Sequence, residues 1–337
     1  MTTAVLICPG RGTYNASELG YLAKHFPDPG LLERLDALRQ ADGQTPLSAL
    51  DGAKAFTDAH LTGDNAAALI YAATLGDALS IDRDAIDIIA VTGNSMGWYS
   101  ALACAGALTP EDGFRVANTM GSLMHRAAIG GQLVYPCTDE DWRPDPTRKA
   151  DLLAQVAGIE GLWLSIDLGG MLVLAGDEAG LGAFEASVPA QGRFPLRLPG
   201  HAAFHTALKA PVAAQGRAAL AADMFTQPDI PLIDGRGAIW WPGACTSEAL
   251  HAYTLGHQVI EPYDFTRAIT IAAREFAPDL FIITGPGTTL GGAVAQSLIQ
   301  ADWLGMGDKA AFQTRQAETP VIAAMGIARQ RGWVTAA

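Results

Sequence analysis

Charge is scarce in this chain of 337 residues: only 17% of positions are Asp, Glu, Lys or Arg. Acids outnumber bases 35 to 22, a formal net charge of −13. That balance leaves no basic surplus for a polyanion, so neither nucleic acid nor an anionic membrane is an expected partner. Cysteine is equally sparse. Cys8, Cys104, Cys137 and Cys245 are scattered, with no C-x-x-C pair. Neither a disulfide framework nor a zinc site is expected, and reduced thiols in the cytoplasm are the natural reading. No uninterrupted apolar run approaches the roughly 18 residues of a membrane span. The first ten residues, Met1 to Gly10, lack a basic stretch and read as a first strand rather than a signal peptide.

What is present is hydrophobic residue, 49% of the chain, enough for one large core or two. The first part alternates strand and helix signals. Ala4–Cys8 reads as a buried strand ending in Pro9-Gly10-Arg11-Gly12, with helical stretches at 19–25 and 31–39. An Ala-rich helix is predicted over 65–79, a strand over 86–92 and a helix over 96–105, which Gly106 closes. Thr109-Pro110-Glu111-Asp112 then starts another helix, with Thr109 as N-cap and Pro110 in the first position. Such alternation predicts an α/β hydrolase-like domain around a mostly parallel sheet covered on both faces.

Near residue 128 the pattern changes. Strand signals at 131–137, 162–166, 171–175 and 194–198 enclose helical ones at 151–156 and 180–187. That is the βαββαβ order of a ferredoxin-like module. The chain therefore divides into a large catalytic domain, residues 1–127 and 200–337, and an inserted small subdomain, residues 128–199. The large domain resumes with a helix over 206–222 and strands at 230–233 and 280–284.

Within this frame, Gly93-Asn94-Ser95-Met96-Gly97 joins a predicted strand to a predicted helix. G-x-S-x-G in that context is the turn that strains and exposes a nucleophilic serine. A serine hydroxyl needs a base, and histidine is the usual one. Seven histidines are present, and for most of them a solvated surface position is the plainer reading. His201 and His205 differ, because their loop leaves the inserted module and precedes a helix. A junction loop of that kind walls a cleft. Acyl transfer also needs an oxyanion hole. The Met96 N–H is one candidate donor. The loop Gly10-Arg11-Gly12 is the best source of a second, although a plain strand-to-helix turn explains it equally well.

These motifs, in this order, resemble malonyl-CoA:acyl carrier protein transacylases and the acyltransferase domains of polyketide synthases. Pro9–Gly12 is similar to the family's P-G-Q-G and Gly93–Leu102 to its G-H-S-x-G-E-Y-S-A-L. Ala203–Leu208 is similar to A-F-H-[ST]-x-L, and Gln258–Phe265 to Q-[LI]-x-x-P-V-x-[WF]. The Gly285-Pro286-Gly287 turn also fits. The resemblance implies a Ser95 acyl-enzyme formed from acyl-CoA, malonyl-CoA by family default, and emptied by the phosphopantetheine thiol of an acyl carrier protein. It implies His205 as base, a backbone carbonyl of Gln258 as its orienting group, and the N–H groups of Arg11 and Met96 as the oxyanion hole. No cofactor beyond the thioester, and no metal, is implied. The length fits a discrete, separately acting enzyme.

Three departures bear on specificity. Met120 stands where dicarboxylate-specific members carry an arginine that clamps the acyl carboxylate. A thioether cannot replace that charged fork, so Met120 favours a neutral acyl group such as acetyl over malonyl. Arg11 replaces the usual Gln, and either salt-bridges at the surface or enters the cleft and supplies the missing charge. Asn94 and Trp98 replace a His and a Glu; they are placed at the acyl pocket with Met120, His201 and Phe204, and core packing is the alternative for Trp98. Members without the arginine load neutral acyl units or hydrolyse acyl groups from carrier proteins, so a thioester hydrolase is the second expectation. A catalytically retired binding protein is the third, and the intact Ser95, His205 and Gln258 argue against it.

Overall fold

The apolar run at the start of the chain is a strand, β1 (Thr2–Cys8), buried from Ala4 onward in the computed structural model, which describes residues 1–336. It pairs in parallel with β2 (Ile86–Gly93), placing Cys8 opposite Gly93. The remaining strands are β3 (Gly131–Pro136), β4 (Leu162–Leu168), β5 (Met171–Gly176), β6 (Leu196–Arg197), β7 (Leu232–Ile233), β8 (Ile239–Trp240), β9 (Tyr263–Asp264), β10 (Leu280–Ile283) and β11 (Ile322–Ala324). The larger sheet has the order β11-β10-β1-β2-β7-β8. Its pairs are parallel except for β7 with the edge strand β8. Strand alternation sends Ala4, Leu6 and Cys8 into one core and Val5 and Ile7 into another, so both faces are covered.

The helix predicted from the Ala-rich stretch runs Gly63–Ser80 and is buried continuously from Ala66 to Asp77. It crosses the helix Pro110–Arg126 at close range. A Cβ on Gly121 would lie 2.6 Å from the Ala67 Cβ and 2.7 Å from the Gly63 carbonyl, so only glycine fits there. The N-cap of Pro110–Arg126 is Thr109, whose hydroxyl accepts from the Asp112 N–H at 3.1 Å.

The four strands β6-β3-β5-β4 form an antiparallel sheet, and the helices Pro146–Ala157 and Glu178–Ser187 complete the βαββαβ order. Their own core includes Leu133, Tyr135, Leu172, Leu174 and Phe184. The sheet is not self-contained. β9, far along the chain, adds to β4 in parallel as a fifth strand.

Several predicted spans shorten at prolines. The strand expected over 194–198 is Leu196–Arg197, and that over 230–233 is Leu232–Ile233; Pro195 and Pro231 have no N–H for a ladder. The helix expected over 206–222 splits into a 3-10 turn, Ala207–Lys209, and a helix, Ala210–Ala219. Pro211 cannot donate to Ala207, so one continuous α-helix cannot form. Helices Phe265–Phe276, Leu290–Gln300 and Lys309–Glu318 add to the predicted set. Among the described residues no helix is long and apolar enough to cross a membrane.

Candidate active site

The carboxyl ends of β1 and β2, at the centre of the larger sheet, present two adjacent loops. Ligands of open α/β sheets sit off these ends. Residues 94–96 connect β2 to the helix Gly97–Cys104. Ser95 sits there in the left-handed region, with φ 55°. Its neighbours permit this turn because they are glycines. A Cβ on Gly93 would fall 2.3 Å from the Gly97 carbonyl carbon, and one on Gly97 would fall 2.2 Å from the Cys8 oxygen. The other loop is pressed onto the same turn: a Cβ on Gly10 would meet the Asn94 carbonyl at 2.5 Å. Neither the Arg11 N–H nor the Met96 N–H has an acceptor among the described residues.

Ser95 Oγ lies 2.7 Å from His205 Nε2. His205 is also at positive φ, 57°, in the loop that returns from the small sheet. Its Nδ1 lies 2.8 Å from the backbone oxygen of Gln258. A carbonyl only accepts, so Nδ1 carries the proton and Nε2 is left to accept from the serine hydroxyl. Burial holds the His205 pKa down at about 4, although the Gln258 carbonyl pulls it the other way. The imidazole is therefore neutral near pH 7 and fit to act as a base.

The chain explains why Gln258 has a carbonyl to offer. The helix Gln258–Ile260 follows a π-helical stretch, Tyr253–His257, and ends at once. The residue four positions on is Pro262, which has no N–H, so the Gln258 carbonyl has no helical partner. The Gln258 side chain works as well. Its Nε2 donates to the Ser95 carbonyl at 3.0 Å and its Oε1 accepts from the Tyr99 hydroxyl at 3.1 Å. Tyr263, in β9, donates to the Gly93 carbonyl at 2.5 Å and lies 5.6 Å from the His205 ring, centroid to centroid. Tyr99 and Tyr263 stand inside two of the recognised motifs, but their hydroxyl partners are visible only in three dimensions.

Ser95 and His205 open onto a narrow cavity of about 60 Å³. That is room for about four to six water-sized groups. Met96, Tyr99, Ala117, Met120, Met124 and Val259 make most of its wall apolar. Of the residues predicted at the acyl pocket, Met120 and Phe204 line it. Asn94, Trp98 and His201 do not. Trp98 is fully buried in the core behind the serine, donating to Thr254 Oγ1 at 2.9 Å and meeting Tyr253 edge-on. Asn94 is held under the elbow by its N–H, which donates to the Cys8 carbonyl at 2.9 Å. His201 turns toward the small sheet, where its Nδ1 lies 2.7 Å from Gln132 Oε1. Arg11 enters the cavity wall and pairs with no carboxylate among the described residues; its Nη2 donates to the carbonyls of Leu61 and Gly200.

No family model matches the chain. A phenolphthiocerol/phthiocerol polyketide synthase of Mycobacterium tuberculosis is 35% identical over 146 residues, 43% of this chain and 7% of that protein. The chain thus spans a small fraction of the synthase it matches. The malonyl CoA-acyl carrier protein transacylase of Mycobacterium bovis is 29% identical over 302 residues, 87% of this chain and 92% of that protein. Among solved structures, the malonyl-CoA:ACP transacylase of Synechocystis superposes with a TM-score of 0.76 at 16% identity, covering 99% of this chain and 100% of that one. The chain thus has the fold of the malonyl-CoA:ACP transacylase of Synechocystis and is similar in sequence to the Mycobacterium bovis transacylase and to part of the synthase.

Proposed function

We propose that this protein is an acyltransferase that takes a short acyl group from a coenzyme A thioester onto Ser95 and passes it to the phosphopantetheine thiol of an acyl carrier protein. One observation carries the reading: the relay from Ser95 Oγ through His205 to the Gln258 carbonyl opens onto an acyl-sized cavity. The likeness to the Mycobacterium bovis transacylase supports the carrier protein as acceptor.

Each half-reaction uses the same groups. Ser95 Oγ gives its proton to His205 Nε2 as it attacks the thioester carbonyl carbon. The N–H groups of Arg11 and Met96 receive the developing oxyanion. The C–S bond then breaks, and the proton on Nε2 passes to the departing thiolate. In the second half a carrier thiol gives its proton to Nε2, attacks the acyl-serine, and Oγ takes the proton back. The imidazolium between these steps is supported by the Gln258 carbonyl, a neutral acceptor that fixes the tautomer without a carboxylate. The proposed steps draw on the thioester, the carrier thiol and groups of this chain.

Intact-mass measurement after mixing with acyl-CoA tests the reading. A single acyl adduct on the native protein, lost in Ser95→Ala and discharged onto a holo carrier protein, is the expected result. Free acid released faster than carrier acylation would replace transfer with hydrolysis.

A further inference from the structure

We propose that Ser165, in the small antiparallel sheet, is a positioning residue for His205: its hydroxyl fixes the peptide unit that holds the histidine at positive φ against Ser95. The inference deepens the transfer reading above, because it rests on His205 acting as the base.

The register of β4 singles Ser165 out. Leu164 pairs with Leu174 and Ile166 with Val173, so Ser165 is an extra residue that faces no partner on β5. Such a β-bulge twists a strand and re-aims its side chains. The strand changes faces there. Leu162 and Leu164 pack in the core of the small subdomain, whereas Ile166 and Leu168 pack in the core on one face of the larger sheet. In a regular strand all four would share one side. Ser165 stands at that turn between the two domains, with no exposed surface.

Ser165 Oγ donates to the Phe204 carbonyl at 2.9 Å. No other protein donor reaches that carbonyl among the described residues. The Phe204 carbonyl and the His205 N–H share one rigid plane, so fixing the direction of the first fixes φ of His205. That φ is 57°, a value that costs a residue with a side chain and that an unfastened peptide would leave.

Gln132, in β3, gives the hydroxyl its direction. It is 3% exposed, and its Nε2 donates to Ser165 Oγ at 2.6 Å, which leaves the one hydroxyl hydrogen for Phe204. Gln132 Oε1 lies 2.7 Å from His201 Nδ1, which orients the amide. Four groups thus form one directed chain, from His201 through Gln132 and Ser165 to the Phe204 carbonyl. The rest of the loop is anchored separately. The Ala203 N–H donates to the Ile129 carbonyl at 2.9 Å, and the Thr206 hydroxyl to the Ala203 carbonyl at 2.8 Å. What Ser165 adds is therefore the orientation of the peptide at the histidine, not the path of the loop. No residue of 128–199 lines the cavity, so the small sheet acts on the base from behind.

The test measures Ser95 acylation by malonyl-CoA and acetyl-CoA with rapid-quench intact mass, alongside urea denaturation. Ser165→Ala is expected to lower the limiting rate about ten- to a hundredfold, because a misplaced base loses its line to the hydroxyl. The half-saturating ester concentration should stay within about twofold, since no group that touches the ester is removed. Ser165→Thr, which keeps the hydroxyl, should restore most of the rate. Gln132→Met, which lets the Ser165 hydroxyl turn away, should slow acylation about three- to tenfold. A folded Ser165→Ala that loses stability yet acylates at the native rate overturns the proposal, as does a slowing that Ser165→Thr does not recover. Should Ser165→Ala not fold, a native rate in Gln132→Met overturns it instead. A fluorophosphonate, which labels an activated serine without acyl-CoA, keeps the two readings apart. Labelling at Ser95 with acylation by neither ester would sink the transfer reading, whereas equal labelling of native protein and Ser165→Ala would sink the positioning role.

Discussion

Ser95 and His205, whose Oγ and Nε2 lie 2.7 Å apart, are both held at positive φ, 55° and 57°. Neither is a glycine, so each position costs about 1–2 kcal/mol and persists only where the surroundings over-determine it. Gln258 does much of that holding. Its main-chain oxygen fixes the histidine and its side chain ties down the Ser95 carbonyl.

Gln258→Ala separates these two jobs. It leaves the carbonyl that orients His205 and removes the donor to the Ser95 carbonyl. Folding stability is expected to fall by about 1–3 kcal/mol, the cost of an unpaired buried polar group. Ser95 acylation should slow about tenfold, whereas His205→Ala, which removes the proposed base, should slow it by about 10²–10⁴-fold. Chemical denaturation and rapid-quench acylation measure the two effects. Equal slowing in both variants would mean that the side chain, not the carbonyl, is what matters in Gln258.

The acid limb of the pH–rate profile should lie low. The base must be neutral, and burial holds the His205 pKa at about 4 in the folded protein. kcat/KM is therefore expected to stay level down to about pH 5 and to fall below it. Stability follows the same groups. His205 and His201, the latter at about 3 through burial and the nearby Arg11, bind protons less readily folded than unfolded. As pH falls below about 6.5 the unfolded chain takes up protons first, so stability is lost from there toward pH 4. His205→Ala should flatten that slope in urea titrations. An acid limb centred near pH 6.5 would contradict the buried, neutral imidazole.

Gly97→Ala should be severe. The added methyl would sit 2.2 Å from the Cys8 oxygen, a backbone atom that cannot swing away. A loss of more than about 4 kcal/mol is expected, or no folded protein at all. Gly182→Ala, in the helix Glu178–Ser187 with nothing within 4 Å of the new methyl, should instead raise stability by about 0.5–1 kcal/mol. Thermal melts of the two variants check the contrast.

Met120 and Trp98 should respond in opposite ways. Met120→Ala enlarges the cavity beyond Ser95 and is expected to shift acylation toward longer chains. Trp98→Ala empties a core site away from the cavity wall, so it should cost about 3–5 kcal/mol of stability and leave the chain-length preference in place. A panel of acyl-CoA esters of increasing length, with melting curves alongside, distinguishes the two.

The serine turn was legible because its geometry is local: Gly93 and Gly97 flank Ser95 at fixed spacing. His205 lies 110 residues from Ser95 in sequence, so the junction loop narrowed the choice only to His201 and His205, and the Gln258 carbonyl came from the motif resemblance alone. The side-chain directions of Arg11 and Trp98 were not legible, because both depend on contacts with distant segments. Arg11 reaches Leu61 and Gly200, and Trp98 reaches Thr254. Predicted strands ran long at Pro195 and Pro231 because apolar patterning counts side chains, whereas a ladder counts N–H groups. β9 escaped notice because two residues carry no periodicity; its place is given only by pairing with β4.

That two-residue strand limits how the molecule can be taken apart. Residues 128–199 hold the whole βαββαβ order, yet cut out alone they would leave β4 as a bare edge, an invitation to pair with another copy. Tyr263 in the covering strand also grips the Gly93 carbonyl in the turn that carries Ser95. A chimaera that exchanges the module between relatives must therefore exchange Tyr263 and Asp264 with it, or accept a seam that runs through the Ser95 turn.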